Sequence, residues 1–145
     1  MSRRKARMIV LETLYQLDVA DGDIDDIITA QAETRKLKQD AKDFILKLVN
    51  GVWKHRDEID MLIGANAENW SIDRITAIDK NILRLASFEL LYCNDIPFKV
   101  VIDEAVELGK IYGTEDSTAF INGILDKMAR NINSRKKEVS EALPA

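Results

Sequence analysis

The sequence predicts an all-α protein, and three observations carry that prediction. Apolar residues recur at three- and four-residue spacing along most of the 145 positions, and no stretch alternates polar and apolar with the period of a strand. Helix-starting and helix-stopping residues also fall where the periodic runs begin and end. About seven helices are expected, in a single domain at this length.

The first helix is expected from about Arg3 to Val19, with Val10, Leu11, Leu14, Tyr15 and Leu17 at its apolar positions. Its opening turn carries Arg3, Arg4, Lys5 and Arg7, cations at the end of a helix where the macrodipole favours anions. Such a segment is expected to fray alone and to order on RNA. Asp21, Asp23 and Asp25 then fall at the first three ligand positions of a calcium loop, but Asp26 stands where the sharp turn needs glycine and Ala32 where the loop needs a bidentate glutamate. The stretch reads instead as an acidic connection that caps the next helix, over about Ile24 to Arg35.

Ala41, Phe44, Ile45, Leu48, Val49, Val52 and Trp53 mark a third helix central to its half of the chain. Gly51 within it implies close approach by a neighbouring helix, since a mid-helix glycine costs about 1 kcal/mol relative to alanine. The only histidine, His55, lies at its C-terminal end, where the dipole favours an imidazolium, and this structural role is preferred over catalysis. Ile59, Leu62 and Ile63 extend a short fourth helix to about Asn66, and Glu68-Asn69-Trp70-Ser71 reads as the connection between halves.

Thr76-Ala77-Ile78-Asp79 resembles a capping box with aspartate in place of glutamate, and Ile82, Leu85, Ala86, Leu90 and Leu91 follow as the stripe of a long buried helix. Arg84 and Glu89 interrupt that stripe, which implies an ion pair or an interface. Ile96-Pro97 opens the next helix, lined by Phe98, Val101, Ile102, Ala105 and Val106 and ended by Tyr112 and Gly113. Thr114-Glu115-Asp116-Ser117 offers caps for a last helix carrying Phe120, Ile121, Ile124, Leu125 and Met128. One domain is expected over residues 1–135, with helical halves of about 1–68 and 71–133, and residues 134–145 are expected to be a disordered tail.

Hydrophobic residues make up 46% of the chain and charged residues 32%, a balance that excludes the disordered class. No apolar run approaches the roughly 18 residues that span a bilayer, and no secretory signal opens the chain. A single cysteine, Cys93, permits no internal disulfide, so a cytoplasmic location is the default. Catalysis is poorly provided for. There is no glycine-rich phosphate loop and no metal-spaced Cys/His cluster, and a triad would have to use His55.

The net charge of −4 conceals a segregated distribution. Residues 1–7 carry four cations without an acid, residues 127–137 carry five more, and residues 138–145 hold −2, which leaves −11 for residues 8–126. Basic ends on an acidic body are an electrostatic footprint for nucleic acid, although charge alone fits solubilising tails equally well. Tyr112 and Phe120 bracket the polar turn before the last helix, an arrangement suited to stacking bases beside phosphates. By spacing alone they read equally as core aromatics around a solvated turn.

Three blocks bring in a resemblance: RRKARMIVLETLYQLD at residues 3–18, DKNILRLASFELLY at 79–92, and DIPFKVVIDEAVELGKIYG followed by EDSTAFINGILDK from residue 95. Together they resemble the NusB family, the bacterial transcription antitermination factors, in that family's order. Ala119 stands where the family often has lysine, and Asp103 where it usually has asparagine. The resemblance implies two packed helical subdomains forming one unit, no cofactor, and binding of boxA RNA jointly with NusE, a small-subunit ribosomal protein, within an RNA polymerase antitermination complex that supports ribosomal RNA transcription. It implies RNA contacts at Arg3, Arg4, Lys5, Arg7, Tyr112, Asp116, Ser117 and Phe120, and NusE contacts at Tyr15 and Asp79. The alternative is an RNA-binding helical domain of the kind fused to RNA cytosine methyltransferases, without catalysis of its own. A pure protein-interaction module would need no basic N-terminus.

Overall fold

A computed structural model describes residues 1–68 and 71–142, with side chains described through residue 135. The helices are α1 (Arg3–Ala20), α2 (Ile24–Arg35), α3 (Gln39–Lys54), α4 (Arg56–Asn66), α5 (Ala77–Tyr92), α6 (Phe98–Tyr112) and α7 (Ser117–Ala142), with a 3₁₀ turn at Ile72–Arg74. There is no strand among the described residues. Asn69 and Trp70 of the expected connection lie outside them.

The helix starts follow from their caps. Ser2 accepts a hydrogen bond from the Lys5 N–H at 3.1 Å, so the basic turn of α1 is helical from Arg3 and does not fray as its charge suggests. Asp23 does the same for the Asp26 N–H at 3.0 Å, which makes the acidic stretch a cap. Thr76 accepts from the Asp79 N–H at 3.3 Å and opens α5.

Every residue of α5 from Asn81 to Leu90 is buried. Helices α1, α3 and α4 pack on it from the N-terminal half, and α6 and α7 from the C-terminal half, so one hydrophobic core joins both halves. Gly51 is what lets α3 approach: a Cβ there would collide with the Phe88 ring of α5.

The two charges that interrupt α5 pair with other helices. Glu89 takes Arg7 of α1, and the Arg84 guanidinium takes Asp60 of α4 at 2.7 and 2.8 Å. Asp18 of α1 joins the second cluster, 3.4 Å from Arg84 and 2.9 Å from Lys80.

Helix α7 departs from the expected end of order near Ser134 and runs to Ala142. Arg135, Lys136, Lys137 and Glu138 are adequate helix formers, and no glycine or proline interrupts the chain before Pro144.

Candidate nucleic-acid interface

The four N-terminal cations divide. Arg3, Arg4 and Lys5 are exposed. The Arg3 guanidinium lies 3.9 Å from the centroid of the Phe44 ring on α3, a cation–π platform that holds it at the surface. Arg4 makes a two-pronged contact with Glu104 of α6, at 3.1 and 3.0 Å, which also holds the Glu104 carboxyl below its ordinary range. Lys5 has no ion pair among the described residues.

Arg7 corrects the sequence-based assignment. It is 5% exposed and donates three hydrogen bonds to Glu89, at 3.0, 3.2 and 2.6 Å. Burial pushes the Glu89 carboxyl up and Arg7 opposes that, so pulling the guanidinium out toward RNA would strand a buried acid. Arg7 is a tie between α1 and α5, and its phosphate-contact role gives way to that one.

At the other end of α6, Tyr112 and Phe120 are both half-buried and rest against the edge of the core. Each has a packed edge and an accessible remainder, so the two readings made from spacing each hold in part. Burial raises the Tyr112 phenol, and Glu12 of α1 raises it further. Asp116 is exposed, and its carbonyl accepts from the Phe120 N–H at 3.2 Å in the turn that starts α7.

Ser117 is the second correction. It is 1% exposed, and its hydroxyl accepts from the Thr114 N–H at 2.8 Å beneath Gly113, where any side chain would strike it. Its hydroxyl closes the turn that orients Tyr112 and Phe120, and it is not open to RNA.

Helices α1 and α6 bring these pieces to one side. Arg4 meets Glu104, and two turns later Glu12 acts on Tyr112, so the pairings advance together along both helices. Glu104 and Tyr112 are eight residues apart, about 12 Å at the helical rise. The result is a strip running from exposed cations to half-exposed aromatics.

Tyr15 and Asp79 occupy a separate seam. Tyr15 is 39% exposed, one turn before Asp18, while Asp79 neighbours Lys80, and the Asp18–Lys80 pair draws the two together. Asp79 is 8% exposed, and its Oδ1 is buried without a hydrogen-bond partner among the described residues. An acceptor in that condition is costly unless something else supplies a donor.

Phe44 and Glu104 had no local sequence signal that ties them to the arginines, since their roles come from helix packing alone. Among the described residues, no group of three or more His, Cys, Asp or Glu could hold a metal ion. No helix there is long and apolar enough to cross a membrane.

The model of the NusB family matches residues 4–130. The chain is 46% identical over 142 residues to transcription antitermination protein NusB of Syntrophus aciditrophicus (strain SB), covering 98% of this chain and 88% of that protein. To the protein of the same name from Myxococcus xanthus (strain DK1622) it is 48% identical over 136 residues, with 91% and 97% covered. Among solved structures, T. maritima NusB superimposes with a TM-score of 0.82 at 39% identity, over 90% of this chain and 92% of that one. A chain in the structure of antitermination factors NusB and NusE in complex with dsRNA gives a TM-score of 0.80 at 29% identity, over 89% and 96%. With the family model spanning most of its length and such relatives matching nearly all of it, the chain belongs to the NusB family.

Proposed function

We propose that the protein is a transcription antitermination factor that binds boxA-type single-stranded RNA together with NusE, as part of an RNA polymerase antitermination complex supporting ribosomal RNA transcription. The observation that carries this reading is the strip from Arg3, Arg4 and Lys5 to Tyr112, Asp116 and Phe120. It offers cations for phosphates and aromatic faces for bases on one side of the molecule. Asp116, as a carboxylate, repels phosphate and serves by accepting hydrogen bonds from a base edge. Arg7 and Ser117 support the strip from beneath it.

The partner reading rests on the Tyr15–Asp79 seam, where a buried acceptor lacks a donor beside an exposed aromatic. A solved relative that holds NusB, NusE and RNA in one complex supports the joint reading. The protein works in the cytoplasm, without a cofactor and without catalysis. Relatives of comparable length that carry the antitermination name support this over a methyltransferase-associated domain.

The test is a gel shift on boxA RNA with and without NusE. Three exposed cations on an acidic body give modest affinity alone, so NusE is expected to strengthen binding. Unchanged affinity would remove the shared-binding reading.

A further inference from the structure

A groove of about 980 Å³ opens beside the strip, between the start of α1, the α2–α3 turn, α3 and the α5–α6 connection. Its lining includes Arg3 and Glu104, so it is continuous with the end of the strip where Arg4 meets Glu104. The floor is apolar, built from Leu37, Phe44, Leu48 and Ile96. Lys36, Lys38 and Lys47 stand on its rim, all exposed and none in an ion pair among the described residues.

Acids are present too. Asp40 and Asp43 line the same groove, but they sit in the first turns of α3, where Asp40 accepts from the Ala41 N–H at 3.0 Å and Asp43 from the Gln39 amide at 2.8 Å. Asp95 is the third, on the α5–α6 connection. The three free lysines therefore offer mobile cations above an apolar floor, and the acids limit how many phosphates can pass.

We propose that this groove takes the single-stranded nucleotides flanking the element bound on the strip. One base stacks on the outer face of the Arg3 guanidinium, already held flat against Phe44, and the following phosphates pass Lys36, Lys38 and Lys47. The proposal rests on the RNA reading of the strip and extends the bound length of the strand. A protein partner with an acidic segment is the competing occupant, and the continuity with the strip favours RNA.

The experiment uses the full chain with NusE and two RNAs, a boxA oligonucleotide and the same oligonucleotide lengthened at each end by about eight unstructured nucleotides, within the span of single-strand sites. The wild-type protein should bind the longer RNA about 5- to 150-fold more tightly, the gain expected of one stacked base. A Lys36→Ala/Lys38→Ala/Lys47→Ala variant should keep its affinity for the short RNA, lose most of that gain, and show a salt slope on the long RNA flatter by about 2, at about 0.7 per phosphate. If the wild type gains nothing from the flanks, the groove proposal falls and the strip stands. Equal losses on both RNAs by the variant would overturn it in favour of a protein occupant. If the wild type binds neither RNA, the strip reading fails first and the groove with it.

Discussion

Arg7 and Glu89 stand 82 positions apart in sequence and meet in the interior at 2.6 Å, with exposures of 5% and 2%. The pair fastens α1 to the central helix α5. It also decides which of the N-terminal cations remain available to RNA. Cutting one partner of such a pair typically costs about 3–5 kcal/mol, whereas replacing both with apolar groups costs much less. Arg7→Met should therefore lower unfolding stability in urea by about that amount, and the double variant Arg7→Met/Glu89→Met should recover a large part of the loss. A single-variant loss below about 1 kcal/mol would mean that the pair does not hold the helices together.

Asp18 provides a pH test. Burial raises its carboxyl, but the Lys80 hydrogen bond, Arg84 and Asn81 together bring it below its ordinary value. The unfolded chain then binds more protons than the folded one as pH falls. The group stabilises the fold above its unfolded pKa of about 3.9, and that contribution is lost as pH drops through the lower folded value. Asp18→Asn should flatten the acid limb of a stability profile between about pH 5 and 2. An unchanged acid limb would count against the Asp18–Lys80–Arg84 cluster as drawn.

Much of the fold was legible because the determining signals are local. The caps Asp23 and Thr76 sit at the helix starts that their side chains predict, and Gly51 marks the crossing over Phe88. What escaped local reading was long-range. The four basic residues of the first turn look alike in sequence, yet helix geometry turns Arg7 inward to Glu89 while leaving Arg3, Arg4 and Lys5 outside. Ser117 likewise looks like a free polar residue of a loop, and only its seat beneath Gly113 gives its hydroxyl to the turn. The helical reach of α7 to Ala142 was missed because charge was weighed above helix propensity.

Phe120 should show both of its roles. Alanine there should weaken RNA binding by about 1–3 kcal/mol if the ring stacks on a base, measured by fluorescence anisotropy. Because the ring is only half-buried, the folding loss in urea should stay below the roughly 3–5 kcal/mol of a fully buried phenylalanine. Full folding loss with intact RNA affinity would return Phe120 to the core alone.

Asp79 separates partner binding from stability. Asp79→Asn removes a charge from a buried oxygen that lacks a donor, so thermal unfolding should be unchanged within about 0.5 kcal/mol or slightly improved. NusE affinity, measured by calorimetry, should fall at the same time. Unaltered NusE affinity would move the partner surface away from the Tyr15–Asp79 seam.

The central claim is that the exposed strip, and not the whole basic turn, meets RNA. Affinity for boxA RNA in the presence of NusE, measured across a salt series for the wild type and for Arg3→Gln/Arg4→Gln/Lys5→Gln, tests it most directly. These substitutions leave Arg7 on Glu89 and Ser2 capping Lys5 through its backbone N–H. With three phosphates released at about 0.7 each, the slope of log K against log salt should flatten by about 2 in the variant, and binding should weaken. Parallel lines for the two proteins would contradict the account and place the RNA contacts elsewhere.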